Sequence, residues 1–471
     1  MESVYRANLS DHLAALTHHY ARSGNPAKAV DYCLLAIRQS YARGSLTEAV
    51  ALFETGLDLL EKLPDDDSRA DRELDLRNAA YGAIGDTKGL ASPEVEHSIG
   101  RAMALCQRPG INWEKSWWAL FGLFFVQQMR PDVRRAEAIA SECMARAEER
   151  GADGLLAEAG NWLAYTKMVA GDFEAAARAF DRTWTVLESI TRPAPGLTHK
   201  QVARISQAQA AIQSCYTVEN NRILSGWNLW FLGYPDRALG RMHSATATDN
   251  HSSKSLIADL NGFAAYIFEL RREVRQMRAR AEARLATATA LGLFSGRALS
   301  EIYLGWADVL DSDLEGGMAR MRAYLSQLKT GGSEYIADRG LTFVAAALGR
   351  AGRFEEALAA LEEAFLFVAR TGQRYYHAEL HRLKGELLLG HGIANAAAAE
   401  QSFRTALDIS REQRAKSWES RTGNSLARLL RDSSRRDEAR SLLAEVHGAF
   451  TEGFETADLR DARTLLAELN A

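Results

Sequence analysis

The chain has 471 residues, 47% of them hydrophobic and 25% charged, which is the composition of a soluble globular protein. Its 57 basic and 61 acidic residues leave a formal charge of −4, without the basic excess expected of a dedicated nucleic-acid binder. The longest apolar run, residues 117–126, is too short to cross a bilayer, and the opening MESVYRANLSD has no apolar signal stretch. Ala, Leu, Arg and Glu dominate and only eight prolines interrupt them, so helix is predicted almost throughout. Cys33, Cys106, Cys143 and Cys215 form no CxxC pair and read as reduced thiols of a cytoplasmic protein.

Taken in chain order, the predicted helices are punctuated by one pattern: a Gly, four residues, then an Ala that opens an apolar helix. It occurs at Gly24/Ala29 and Gly44/Ala49, before the acidic loop and helix cap at 64–67. A helix crowded with Trp117, Trp118, Phe121, Phe124 and Phe125 follows. Gly171/Ala176 carries a full copy, GDFEAAARAF, with Phe173, Ala176 and Phe180 on one helical face. The stretch 191–200, TRPAPGLTHK, reads as a loop or bend, dividing the chain into parts 1–190 and 201–471. Beyond it come Trp227, Trp230 and Phe231, then Gly233/Ala238, then the arginine stripe Arg271, Arg275 and Arg278. Gly352/Ala357 carries the second full copy, GRFEEALAAL.

The glycine permits a left-handed turn between helices, and the alanine lets the neighbouring helix approach closely. Ala136 to Ala176, Gly317 to Ala357 and Ala399 to Ala439 are steps of one common length. That length, about 40 residues, suits two helices of roughly 16 to 18 residues with short turns. No segment alternates with a period of two, so no sheet is predicted. The fold expected is all-α, a solenoid of about twelve antiparallel helical hairpins.

This pattern resembles the tetratricopeptide repeat (TPR), although its period is longer than that family's usual period of about 34 residues. RYYHAELHRLKGELLL (374–389), RAKSWESRTGNSLARLL (414–430) and GAFTEGFETADLRDARTLLAELN (448–470) resemble the C-terminal repeat region of bacterial class III adenylate/guanylate cyclase–ATPase–TPR signalling proteins. LSDHLAALTHHYARSGNPAKAVDYCLLA (9–36) resembles the start of that region. The resemblance implies a tail that follows the catalytic modules, either as a stand-alone protein or as a fragment. No GxxxxGK[ST] phosphate loop is found in the sequence.

No catalytic constellation, cofactor site or metal site is predicted. His377 and His381 are one helical turn apart but lack a third ligand within sequence reach. Two function classes are open. One is a non-enzymatic interaction scaffold that binds a protein or peptide in its concave groove, with no role for nucleic acid or membrane. The other is a ligand-sensing tail that controls a cyclase or ATPase module. A closed apolar pocket with a few convergent polar groups would favour the second. The candidate binding residues are Asn161, Tyr165 and Met168, predicted to share an inward face, together with Trp227, Trp230, Arg271, Arg275 and Arg278.

Overall fold

A computed structural model of the chain describes residues 9–214, 216–247 and 254–470. Among these residues there are twenty-three α-helices, two short 3-10 helices and no strand. The hairpin logic is clearest at Trp113–Met129, Val133–Glu149, Asp153–Val169 and Phe173–Thr191. Gly171 turns the chain with φ +86°, and the Asp172 carboxylate then accepts from the Ala175 N–H, capping the next helix. Ala176, the alanine that follows this turn, is fully buried, as are Ala29, Ala49, Ala238 and Ala357 in the corresponding places. Gly24, Gly44, Gly233 and Gly352 share the positive φ. The protein is therefore a TPR-like α-solenoid.

Helices alternate between a concave inner layer and a convex outer layer. Seven inner helices supply most of the concave wall: α1 (Asp67–Lys88), α2 (Trp113–Met129), α3 (Asp153–Val169), α4 (Thr217–Phe231), α5 (Lys254–Leu270), α6 (Phe294–Leu310) and α7 (Ala337–Arg350). Residues 192–198 join the helix ending at Thr191 to the one beginning at His199.

The solenoid winds so tightly that successive turns touch. The Glu334 N–H donates to the Met129 carbonyl at 2.8 Å, and the Arg374 N–H donates to the Val169 carbonyl at 2.7 Å. The two pairs have the same separation in sequence, and the second lies one hairpin further along the chain. That separation corresponds to about five hairpins, so one superhelical turn takes about five. The seam continues where the Asp236 and Arg237 N–H groups donate to Glu452 and where the Ser417 hydroxyl donates to the Trp230 carbonyl. It starts with a small apolar core in which Leu46 packs with Ala258, Ala288 and Leu293. Backbone groups from turns that would otherwise face solvent are paired here with the neighbouring coil, which fixes the spacing of the winding.

Candidate functional site

Closing the winding turns the concave groove into a chamber of about 420 Å³. Its wall is an aromatic belt carried from helix to helix. Phe125 on α2 meets Trp162 on α3 edge-on, with ring centres 4.8 Å apart, and Trp162 meets Tyr165 at 5.7 Å. Tyr165 reaches Trp227 on α4 at 6.3 Å, and Trp227 meets Phe263 and Tyr266 on α5 at 5.2 and 4.7 Å. Rings in such edge-to-face contact hold one another's orientation. Phe125, Trp162, Tyr165 and Phe263 are only half-buried, and the surface they leave open belongs to the chamber.

Charged groups are set into this belt. Glu158 accepts from the Trp162 indole N–H at 2.8 Å and from the Thr217 hydroxyl at 2.6 Å. Burial nevertheless pushes its carboxyl up to about 7, because desolvation disfavours the charged form more than those two bonds favour it. Asp86, on α1, accepts from the Tyr41 hydroxyl at 3.2 Å and is likewise pushed up to about 7, first by burial and then by the nearby Asp259. Asp259 is ion-paired to Arg284 at 3.2 Å; its carboxylate is half exposed, but to the chamber. The Nε and one terminal nitrogen of Arg284 have no acceptor among the described residues.

Arg339, on α7, differs from the other arginines. Its side chain lies over the Tyr266 ring at 4.2 Å and the Tyr303 ring at 5.3 Å, and the residue is only 5% exposed. No described carboxylate or carbonyl receives its guanidinium. Asp338 accepts the Arg339 backbone N–H and the Gln373 amide instead, while Glu269 accepts the Tyr376 hydroxyl. Stacking on two phenol rings compensates part of the desolvation of a buried cation.

The candidates from the sequence divide cleanly. Tyr165, Met168 and Trp227 line the chamber. Asn161 lies fully buried behind it, donating to the Thr217 carbonyl and accepting from Asn221. Trp230 is buried in the seam between turns, against Trp418. Arg271 pairs with Glu273 at 2.6 Å and donates to the Pro235 carbonyl at 2.7 Å; Arg278 bridges Asp308 and Asp311; Arg275 is exposed. The three arginines do not converge on the chamber. His377 and His381 pack with Phe365, where burial and mutual repulsion hold His381 down to about 4. Among the described residues no group of three or more His, Cys, Asp or Glu side chains converges as a metal set, and no helix is long and apolar enough to cross a membrane. Cys33 and Cys143 are buried free thiols, Cys106 is a partly buried one, and Cys215 lies outside the described residues.

Sequence reasoning missed Glu158, Arg339 and the tyrosines Tyr266, Tyr303 and Tyr335. No local pattern links them, and only the winding brings them together. One signal was available: Asp338-Arg339 opens the otherwise apolar run GLTFVAAALG.

A second compartment of about 710 Å³ is lined by residues from Phe268 onward. Its charges satisfy one another, with Arg421 on Asp458 at 2.8 Å, Arg272 on Asp461 at 2.9 Å and Arg382 on Glu379 at 2.7 Å.

No family model matches the chain. A Rhizobium meliloti (strain 1021) protein described only as uncharacterized is 24% identical over 434 residues. That match covers 88% of this chain but 39% of the relative, so the chain spans well under half of that protein's length. Among solved structures, a Rap protein complexed with competence and sporulation factor aligns over 94% of this chain and 98% of its own, at 11% identity and TM-score 0.37. The human IFIT1 dimer with PPP-AAAA aligns over 98% and 94%, at 13% identity and TM-score 0.41. Yeast Tom70 aligns over 100% and 96%, at 13% identity and TM-score 0.36.

Proposed function

We propose that the chain is a non-enzymatic sensing and interaction module that holds a small molecule inside its winding and offers its outer surface to protein partners. The observation that carries this reading is the chamber, whose aromatic wall is half-buried toward a concave space of about 420 Å³. Small-molecule sites are concave, mostly apolar, roughly 300–1,000 Å³ in size, and carry a few placed polar groups. A partner helix, about 10–12 Å across with its side chains, is too thick to lie along such a space. The concave groove expected to take a peptide is therefore better suited to a compact ligand, and protein contacts fall to the convex face. The sequence resemblance supports a further step: the module works in bacterial signalling, in the cytoplasm, beside a cyclase or ATPase unit, with chamber occupancy as the signal.

Thermal unfolding tests the chamber reading. A ligand present at about 100 times its Kd stabilises the folded state by about 2.7 kcal/mol. A panel of one- and two-ring aromatic compounds is expected to include members that raise the melting temperature of the full chain and saturate at one per chain. A panel that leaves the midpoint unmoved throughout contradicts the reading.

A further inference from the structure

We propose that the chamber binds a small aromatic monocarboxylate, its carboxylate on the Arg339 guanidinium and its ring against the belt of Trp162, Tyr165 and Trp227. This inference rests on the reading of the chamber as a ligand site and specifies what the site takes.

Arg339 is the buried cation on this wall without an ion-pair partner among the described residues. A buried charge without a partner is costly, and arginine cannot shed its proton to escape the cost. The Tyr266 and Tyr303 rings fix its plane at 4.2 and 5.3 Å, but a ring face accepts none of its five N–H donors in the way a carboxylate does. Asp338 and Glu269 lie near enough to be felt electrostatically, yet neither forms an ion pair with it: Glu269 accepts from Tyr376, and Asp338 accepts from Gln373 through one oxygen while the other is buried without a partner among the described residues. The neighbouring Tyr266 and Tyr303 hydroxyls also have no partner among the described residues. The Arg339 side chain lines the chamber, so the chamber is the side from which an acceptor can come. The other arginines described above, the buried Arg271 and Arg284 and the partly buried Arg382 and Arg421, each hold a carboxylate already.

The charge of the head group follows from the rest of the wall. Glu158, Asp86 and Asp259 all line the same space, against Arg339 and the already paired Arg284. A phosphate monoester would bring a charge of about −1.5 to −2 among them. A carboxylate brings one charge and matches the guanidinium fork in two parallel hydrogen bonds. The belt supplies flat apolar faces for a ring, and a space of about 420 Å³ accommodates a body of two fused rings.

The test uses the full chain and quenching of its tryptophan fluorescence, since Trp118, Trp162 and Trp227 line the chamber. The probes are 1-naphthylacetate, the neutral isostere 2-(1-naphthyl)ethanol and 1-naphthyl phosphate. The acid should bind the unmodified chain about tenfold or more tighter than the alcohol, as expected for charge-assisted hydrogen bonds, and tighter than the phosphate. Arg339→Met should remove the preference for the acid while leaving the alcohol within about threefold, and Arg339→Lys, which keeps the charge but not the fork, should fall between. The acid-to-alcohol ratio in the unmodified chain tests the monocarboxylate even where Arg339→Met fails to fold, and Arg339→Lys then tests the assignment to Arg339. Equal binding of acid and alcohol, or a preference that survives Arg339→Met, overturns the assignment to Arg339 but leaves the chamber as a ligand site. Tighter binding of the phosphate overturns the monocarboxylate. No binding by any of the three removes the chamber reading and this inference with it.

Discussion

At the scale of single residues, the chamber carries groups whose protonation is set by burial, and Glu158 is the clearest of them. Its carboxyl is raised from the ordinary 4.5 to about 7 because burial disfavours the charged form, even though Trp162 and Thr217 donate to it. Between those two values the folded chain holds a proton that the unfolded chain releases. Stability due to this group is therefore full at low pH and is lost as pH rises from about 4.5 toward 7, at no more than about 1.4 kcal/mol per pH unit. Glu158→Gln keeps the shape and cannot ionise, so its stability relative to the parent should climb between pH 5 and 7 and level off above. Urea midpoints of both proteins at four pH values check this; curves that stay parallel contradict it. The residues that make the chamber special were only partly legible. Tyr165, Met168 and Trp227 followed from aromatic content and helical phase, whereas Glu158 and Arg339 are single polar residues whose partners, or lack of them, depend on helices far away in sequence.

At the scale of elements, the turn glycines were legible because a left-handed residue before a helix has a chemical signature. Some turns escaped because the same conformation is held there by other residues: Arg272 (φ 62°), Ser312 (φ 82°), Arg414 (φ 57°) and Ser434 (φ 62°). Ser312 and Gly352 lie one period apart in equivalent turns, so the repeat persists where its glycine does not. Two glycines of near-identical φ separate turn strain from packing between coils. At Gly352 (φ +73°) an added Cβ meets nothing within 4 Å; at Gly332 (φ +72°) it runs into the Ala91 carbonyl of the neighbouring coil. Gly352→Ala should cost only the left-handed penalty of about 1–2 kcal/mol. Gly332→Ala should cost clearly more, because backbone on the far side must move. Equal urea midpoints for the two variants would show that the seam contributes nothing there.

At the scale of the whole molecule, the regular repeat and the absence of alternating segments made the solenoid readable, since both are local properties of the chain. The pitch of the winding was not readable. It depends on small rotations accumulated over about five hairpins. It depends equally on pairings between residues a full superhelical turn apart, such as Met129 with Glu334 and Val169 with Arg374. That pitch decides between an open groove and a chamber, and so between a peptide scaffold and a small-molecule sensor. The amides of Glu334 and Arg374 report it directly, because both lie outside helices and find their acceptors only on the neighbouring coil. Residue-resolved hydrogen exchange on the full chain is the measurement. The closed winding predicts that these two amides exchange as slowly as those of adjacent helices; exchange as fast as in the exposed link 192–198 would show an open solenoid with no chamber to fill.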